Sequence, residues 1–87
     1  MKDEFTIVEK FEITGRGAVV VISEITKRIA GREYEAEVTG VNGDIISTKA
    51  FKELFLRRMT KPIEKEAYML KDVHKQDISD NATISFL

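Results

Sequence analysis

The chain has 87 residues, no cysteine, 43% hydrophobic and 33% charged residues, and fourteen basic side chains against fifteen acidic ones, a net charge of −1. That length suits one domain, 1–87, burying about 60–65% of the surface its unfolded chain exposes, with neither disulfides nor thiolate metal sites to support it. The balanced charge excludes nucleic-acid binding through an overall basic excess, no apolar run reaches the roughly 18–20 residues of a membrane span, and the acidic Asp3 and Glu4 do not suit a signal peptide, so a cytoplasmic protein is expected.

In chain order, Phe5, Ile7, Phe11 and Ile13 share one parity, with Thr6, Lys10 and Glu12 on the other, and Glu9 breaks the pattern. The period of two predicts a half-buried strand. Gly15-Arg16-Gly17 then reverses the chain. Ala18 to Ile22 is continuously apolar and β-branched, as a central barrel strand requires. Ile25 extends it towards a basic turn at Lys27 and Arg28. After Gly31, Tyr34, Ala36 and Val38 alternate with Glu33, Glu35 and Glu37. Asn42-Gly43 predicts a two-residue hairpin turn with positive φ at both residues, and Asp44 to Thr48 the return strand.

From Lys49 the period changes. Phe51, Leu54, Phe55 and Met59 have helical spacing and Thr48 can cap it, so a short helix over 49–59 competes with continued strand until Pro62 ends either one. Glu66 to Val73 reads as a strand, His74 to Asn81 as a polar turn and Ala82 to Leu87 as a last strand. Together these elements predict an all-β fold, a small closed antiparallel barrel of six or seven strands. Its expected core includes Ile13, Val19, Val21, Val38, Ile46, Met69 and Ile84.

Several of these segments resemble a known family. Phe11-Glu12-Ile13-Thr14-Gly15-Arg16-Gly17-Ala18-Val19-Val20 is similar to the strand pair that opens the second, β-barrel domain of elongation factor Tu and related translational GTPases. Gly31 followed by Glu33 to Gly40, the mid-domain Phe51, Met69 to Val73 and Gln76-Asp77-Ile78 resemble later features of that domain in the same order. The resemblance implies the same barrel and a place in translation. It also has departures: Ile22 and Asn81 stand where the family prefers glycine, and the turn around Lys27 and Arg28 is shorter. Near the mid-domain Phe the family places an acidic residue in its pocket for the aminoacyl-adenosine end of transfer RNA; the matching position is Lys49, with the charge reversed. The chain has no Gly-x-x-x-x-Gly-Lys-(Ser/Thr) loop and so no GTPase domain to cradle a nucleotide.

The candidate sites each carry a plainer alternative. Lys49, Lys52, Arg57, Arg58 and Lys61 form the one basic concentration, interleaved with Phe51 and Phe55 and followed by Met59. Basic and aromatic side chains together suit single-stranded RNA, whereas an amphipathic cover with a wet basic side needs no ligand. Arg16 is a candidate anion contact between its glycines, or simply the partner of a nearby acid. His74 has no nearby serine or cysteine nucleophile and reads as a turn residue. Asp77, Asp80, Glu64 and Glu66 read as solvated carboxylates rather than an acid–base pair. No catalytic, cofactor or metal role is assigned. Two functional readings follow: a non-enzymatic interaction module that binds a protein partner or itself, and an RNA- or ribosome-contacting accessory barrel that uses 49–61.

Overall fold

A computed structural model describes residues 3–24, 26–53 and 65–87. Among them are six strands, β1 (Asp3–Ile13), β2 (Gly17–Ile22), β3 (Glu33–Thr39), β4 (Ile45–Glu53), β5 (Glu66–Leu70) and β6 (Thr83–Phe86), with a 3₁₀ turn at Lys75–Asp77. They close into an antiparallel barrel in the order β1-β2-β5-β4-β3-β6, as expected from the alternation. The helix weighed over 49–59 does not form where its first residues are described: Lys49 to Glu53 continue β4 and pair with both β3 and β5. Ala50 and Phe51 are paired on both sides, and this two-sided strand pairing outweighs the local helical spacing.

β2 shows why a barrel strand can be apolar throughout. All six of its residues are buried, with Ala18, Val20 and Ile22 in the interior cluster. Val19 and Val21 face the other way and join Ala67 in a second cluster, against which Ile13 and Met69 pack. Of the expected core residues, Val38 and Ile84 are interior and Ile46 packs against the interior from a half-buried position. Ile13, Val19, Val21 and Met69 instead belong to the outer cluster.

β1 does not keep a single parity. Its register against β2 shifts between Ile7 and Glu9, a β-bulge that places one extra residue in the strand. Phe5 and Ile7 therefore face the interior, whereas Phe11 pairs with the outward Val19. The Glu9 break in the sequence pattern is the trace of this bulge. Each half of β1 also has its own neighbour: Asp3 to Thr6 pair with β6, and Ile7 to Ile13 with β2.

The 39–45 hairpin differs from the two-residue turn. The Gly40 amide donates to the Asp44 carbonyl (2.8 Å) and the Gly43 amide to the Gly40 carbonyl (3.0 Å), so three residues, Val41 to Gly43, form the loop. Only Gly43 of the pair has positive φ, +88°. That is a type I turn followed by a left-handed residue, which matches the twist of the flanking strands as a primed two-residue turn would. Gly17 is required for a different reason. Its φ is +118°, and a Cβ there would lie 3.0 Å from the Val73 carbonyl oxygen. Asn81, where the resemblance leads one to expect glycine, has φ +63°, a conformation that asparagine tolerates.

Antiparallel topology sorts the loops onto two ends. The 23–32 connection and the starts of β1, β3 and β5 lie at one end; the turns at 14–16, 40–44 and 71–82 lie at the other. The second end is plugged by the buried Val73, Ile78 and Ala82.

Candidate interaction surface

Strand geometry divides the basic concentration. Lys49 and Lys52 are three residues apart on β4, and an odd separation on a strand sends side chains to opposite faces. Lys49 lies on the outer face, 3.3 Å from Glu33 and 3.5 Å from Glu35. Its pKa is raised, first by the hydrogen bond to Glu33 and then by the charges of Glu33 and Glu35. Lys52 turns towards the first barrel end, donating to the Arg28 carbonyl (2.7 Å) and pairing with Glu66 (3.1 Å). Arg16 pairs with Glu53 at 3.1 Å, so the acid is its partner here. Phe55, Arg57, Arg58, Met59 and Lys61 lie outside the described residues, as does Glu64.

Glu66 is not the solvated carboxylate expected from the sequence. It is 3% exposed and accepts hydrogen bonds from the Thr26 amide (2.7 Å), the Thr26 hydroxyl (2.8 Å) and the Tyr68 hydroxyl (2.7 Å). Burial acts to raise its pKa, but the Tyr68, Thr26 and Lys52 donors together hold it below the usual carboxylate value. Burial pushes the Tyr68 phenol up to about 12, opposed by its contact with Thr26 and reinforced by Glu66. With every donor and acceptor engaged, this cluster ties the 23–32 connection to the barrel.

Beside it, the Arg28 guanidinium lies 3.8 Å from the Phe86 ring centroid and 5.8 Å from those of Phe5 and Tyr34. It pairs with Asp3 at 2.9 Å. Arg28 thus lines a surrounding depression of about 610 Å³, with its charge already engaged by the chain's own rings and Asp3.

The other end is different. The Lys10 ammonium donates to the Ile78 carbonyl and pairs with Asp80 (3.2 Å). Glu12 accepts from the Lys75 amide (2.9 Å), with His74 Nδ1 at 3.4 Å. Asp77 accepts from the His74 amide at 2.9 Å, and the His74 side chain is 57% exposed, as a turn residue should be. These contacts hang the 74–81 segment from the second half of β1. Val8 and Phe11, on that same half, are 45% and 43% exposed. Depressions of about 430 Å³ lie between this half-strand and the 74–81 segment.

The bulged half of β1 was not among the residues singled out from the sequence, although Glu9 signalled it. Among the described residues no group of three or more His, Asp or Glu side chains is placed to hold a metal ion, and no helix is long and apolar enough to cross a membrane. Comparison with known proteins gave no match: no family model matches the chain, and neither a curated protein nor a solved structure does.

Proposed function

We propose that this barrel is a non-enzymatic protein-interaction module that resembles the second domain of elongation factor Tu, and that the second half of β1 is its working surface. The observation that carries this reading is a contrast in how side chains are used. Lys49, Lys52 and Arg16, the described members of the cationic sites, each have a carboxylate partner within 3.5 Å. Phosphate contact requires cations whose charge is not already neutralised. Val8 and Phe11 stand exposed on a rigid strand instead, and aromatic anchors of this kind carry much of the energy of protein interfaces.

Two measurements on the whole chain test the reading. Titration with a generic single-stranded RNA at low and high salt is expected to show no tight binding. Capture of a partner from extract is expected to survive nuclease treatment and to be lost on Phe11→Ser, with the fold checked by circular dichroism. Tight RNA binding that falls steeply with salt would instead favour an RNA-contacting barrel.

A further inference from the structure

The second half of β1 is a half-open sheet edge. The pairing of β1 with β6 stops at Thr6, and beyond it, among the described residues, a single backbone–backbone bond, from the Ile7 amide to the Ala82 carbonyl, joins β1 to that side. Val8 is the extra residue of the bulge, and from Glu9 to Ile13 the strand is laddered to β2 alone among the described strands. The direction of its remaining backbone groups follows from one hydrogen bond. The Ala18 amide donates to the Val73 carbonyl at 2.7 Å, on the β5 side of β2. Glu12, directly opposite Ala18, is therefore in a non-hydrogen-bonded pair, and its own N–H and C=O point away from β2. Lys10, two residues earlier and opposite Val20, repeats that arrangement. No backbone hydrogen bond to these groups is formed from the 74–81 segment, which is held by the two side chains. Two residues thus present paired donors and acceptors along an exposed strand, a template for another strand.

We infer that a second copy of this chain docks antiparallel along Glu9–Ile13, with Phe11 on the two-fold axis. This rests on the reading of the barrel as a protein-interaction module and names its partner. The charge pattern of the strand selects the register. Phe11 opposite its counterpart sets Lys10 opposite Glu12 and Glu12 opposite Lys10, so the symmetric pairing makes two cross-strand pairs of opposite charge. The backbone agrees, because Lys10 and Glu12 are the residues whose N–H and C=O groups face the new strand, and each Lys10–Glu12 pair exchanges two bonds. Phe11 then falls at a non-hydrogen-bonded position, where opposed side chains approach most closely and aromatic pairs gain most. A two-fold interface requires a self-complementary patch, and the five residues Glu9–Ile13, which pair among themselves about Phe11, are one. Lys10 and Glu12 keep their bonds to the 74–81 segment on one side and meet the new strand through their backbone and exposed carboxylate edge. Ile13 and Glu9 complete the run on the outer face.

Sedimentation velocity over a concentration series tests the proposal, with a reversible dimer as the expected result. Glu12→Pro removes an N–H that β2 does not use, and so deletes two of the four intermolecular hydrogen bonds while leaving the barrel ladder intact. It should weaken the dimer roughly tenfold to a hundredfold. Glu12→Ala keeps the N–H and should cost only a few-fold. Lys10→Glu should weaken the dimer, and the K10E/E12K double exchange should recover part of the loss. Should the proline variant fail to fold, the wild-type amide resonances of Lys10 and Glu12 give the answer, because they should shift and exchange more slowly as concentration rises. A protein that stays monomeric, a dimer indifferent to a folded Glu12→Pro variant, or a dimer in which those two amides do not respond would each overturn the proposal. A monomer that still retains a different protein after nuclease treatment would overturn it while leaving the interaction-module reading in place.

Discussion

The two ends of the barrel solve the same problem with different chemistry. At the end that carries the 23–32 connection, a buried carboxylate and a stacked guanidinium hold the loop. Glu66 takes donors from Thr26, Tyr68 and Lys52, and Arg28 sits on Phe86. At the other end the 71–82 connection is held by apolar burial of Val73, Ile78 and Ala82, and its ion pairs are largely exposed. Geometrically similar contacts therefore differ in worth. Lys49 with Glu33 and Lys52 with Glu66 have nearly equal separations, yet only the second lacks water to replace a missing partner.

The largest expected difference between the ends comes from deleting one carboxylate at each. Glu66→Ala leaves the Thr26 and Tyr68 donors and the Lys52 ammonium without their acceptor, and should cost about 3–5 kcal/mol in urea unfolding. Glu12→Ala should stay within about 1 kcal/mol of wild type, because water replaces the lost acceptor. Equal costs would mean that burial gives Glu66 no advantage over the exposed Glu12.

The buried cluster also makes stability depend on pH. Because the folded Glu66 pKa is depressed, its contribution is present above the unfolded carboxylate value and is lost as pH falls through the folded one. Glu66→Gln should flatten that acid limb of the stability curve. At the alkaline side the raised Tyr68 pKa favours the neutral phenol of the folded state, so stability should fall as pH climbs from 10.0 towards about 12. Ultraviolet titration should show a phenol ionising near pH 12, and loss of that signal in Tyr68→Phe identifies it.

Smaller effects are expected at the apolar end. A Cβ at Gly43 meets no neighbouring atom within 4 Å, but Gly43→Val must adopt φ near +88° and should cost roughly 1–2 kcal/mol. Ile78→Val removes one buried methylene and should cost about 0.5–1.5 kcal/mol. His74→Ala, on an exposed turn, should be close to neutral in thermal unfolding.

The strands were legible in the sequence wherever a period of two persisted. Glu33 to Val38 alternates in the structure as it does on paper, and the unbroken apolar run of Ala18 to Ile22 marks a strand buried on both faces. Local spacing was insufficient where pairing decides. Phe51 and Leu54 have helical spacing, but β3 and β5 together hold Lys49 to Glu53 extended. The bulge in β1 left only Glu9 as a trace, since a one-residue shift is defined by the strands on either side. The Glu66 cluster left none: Thr26 and Glu66 are 40 residues apart, and nothing near either residue in the chain announces the other. The same holds for the half-open edge, which exists because β6 stops pairing at Thr6.

Residue-resolved amide hydrogen exchange in dilute solution tests the half-open edge most directly. The amide of Ile7 is bonded to Ala82, and those of Phe11 and Ile13 alternate into the β2 ladder, so all three should exchange slowly. Lys10 and Glu12, between them in the same strand, should exchange faster by orders of magnitude, and should slow only as concentration rises. Uniform slow exchange from Ile7 to Ile13 at high dilution would contradict the account, because it would mean that the second half of β1 is already paired on both sides within one chain.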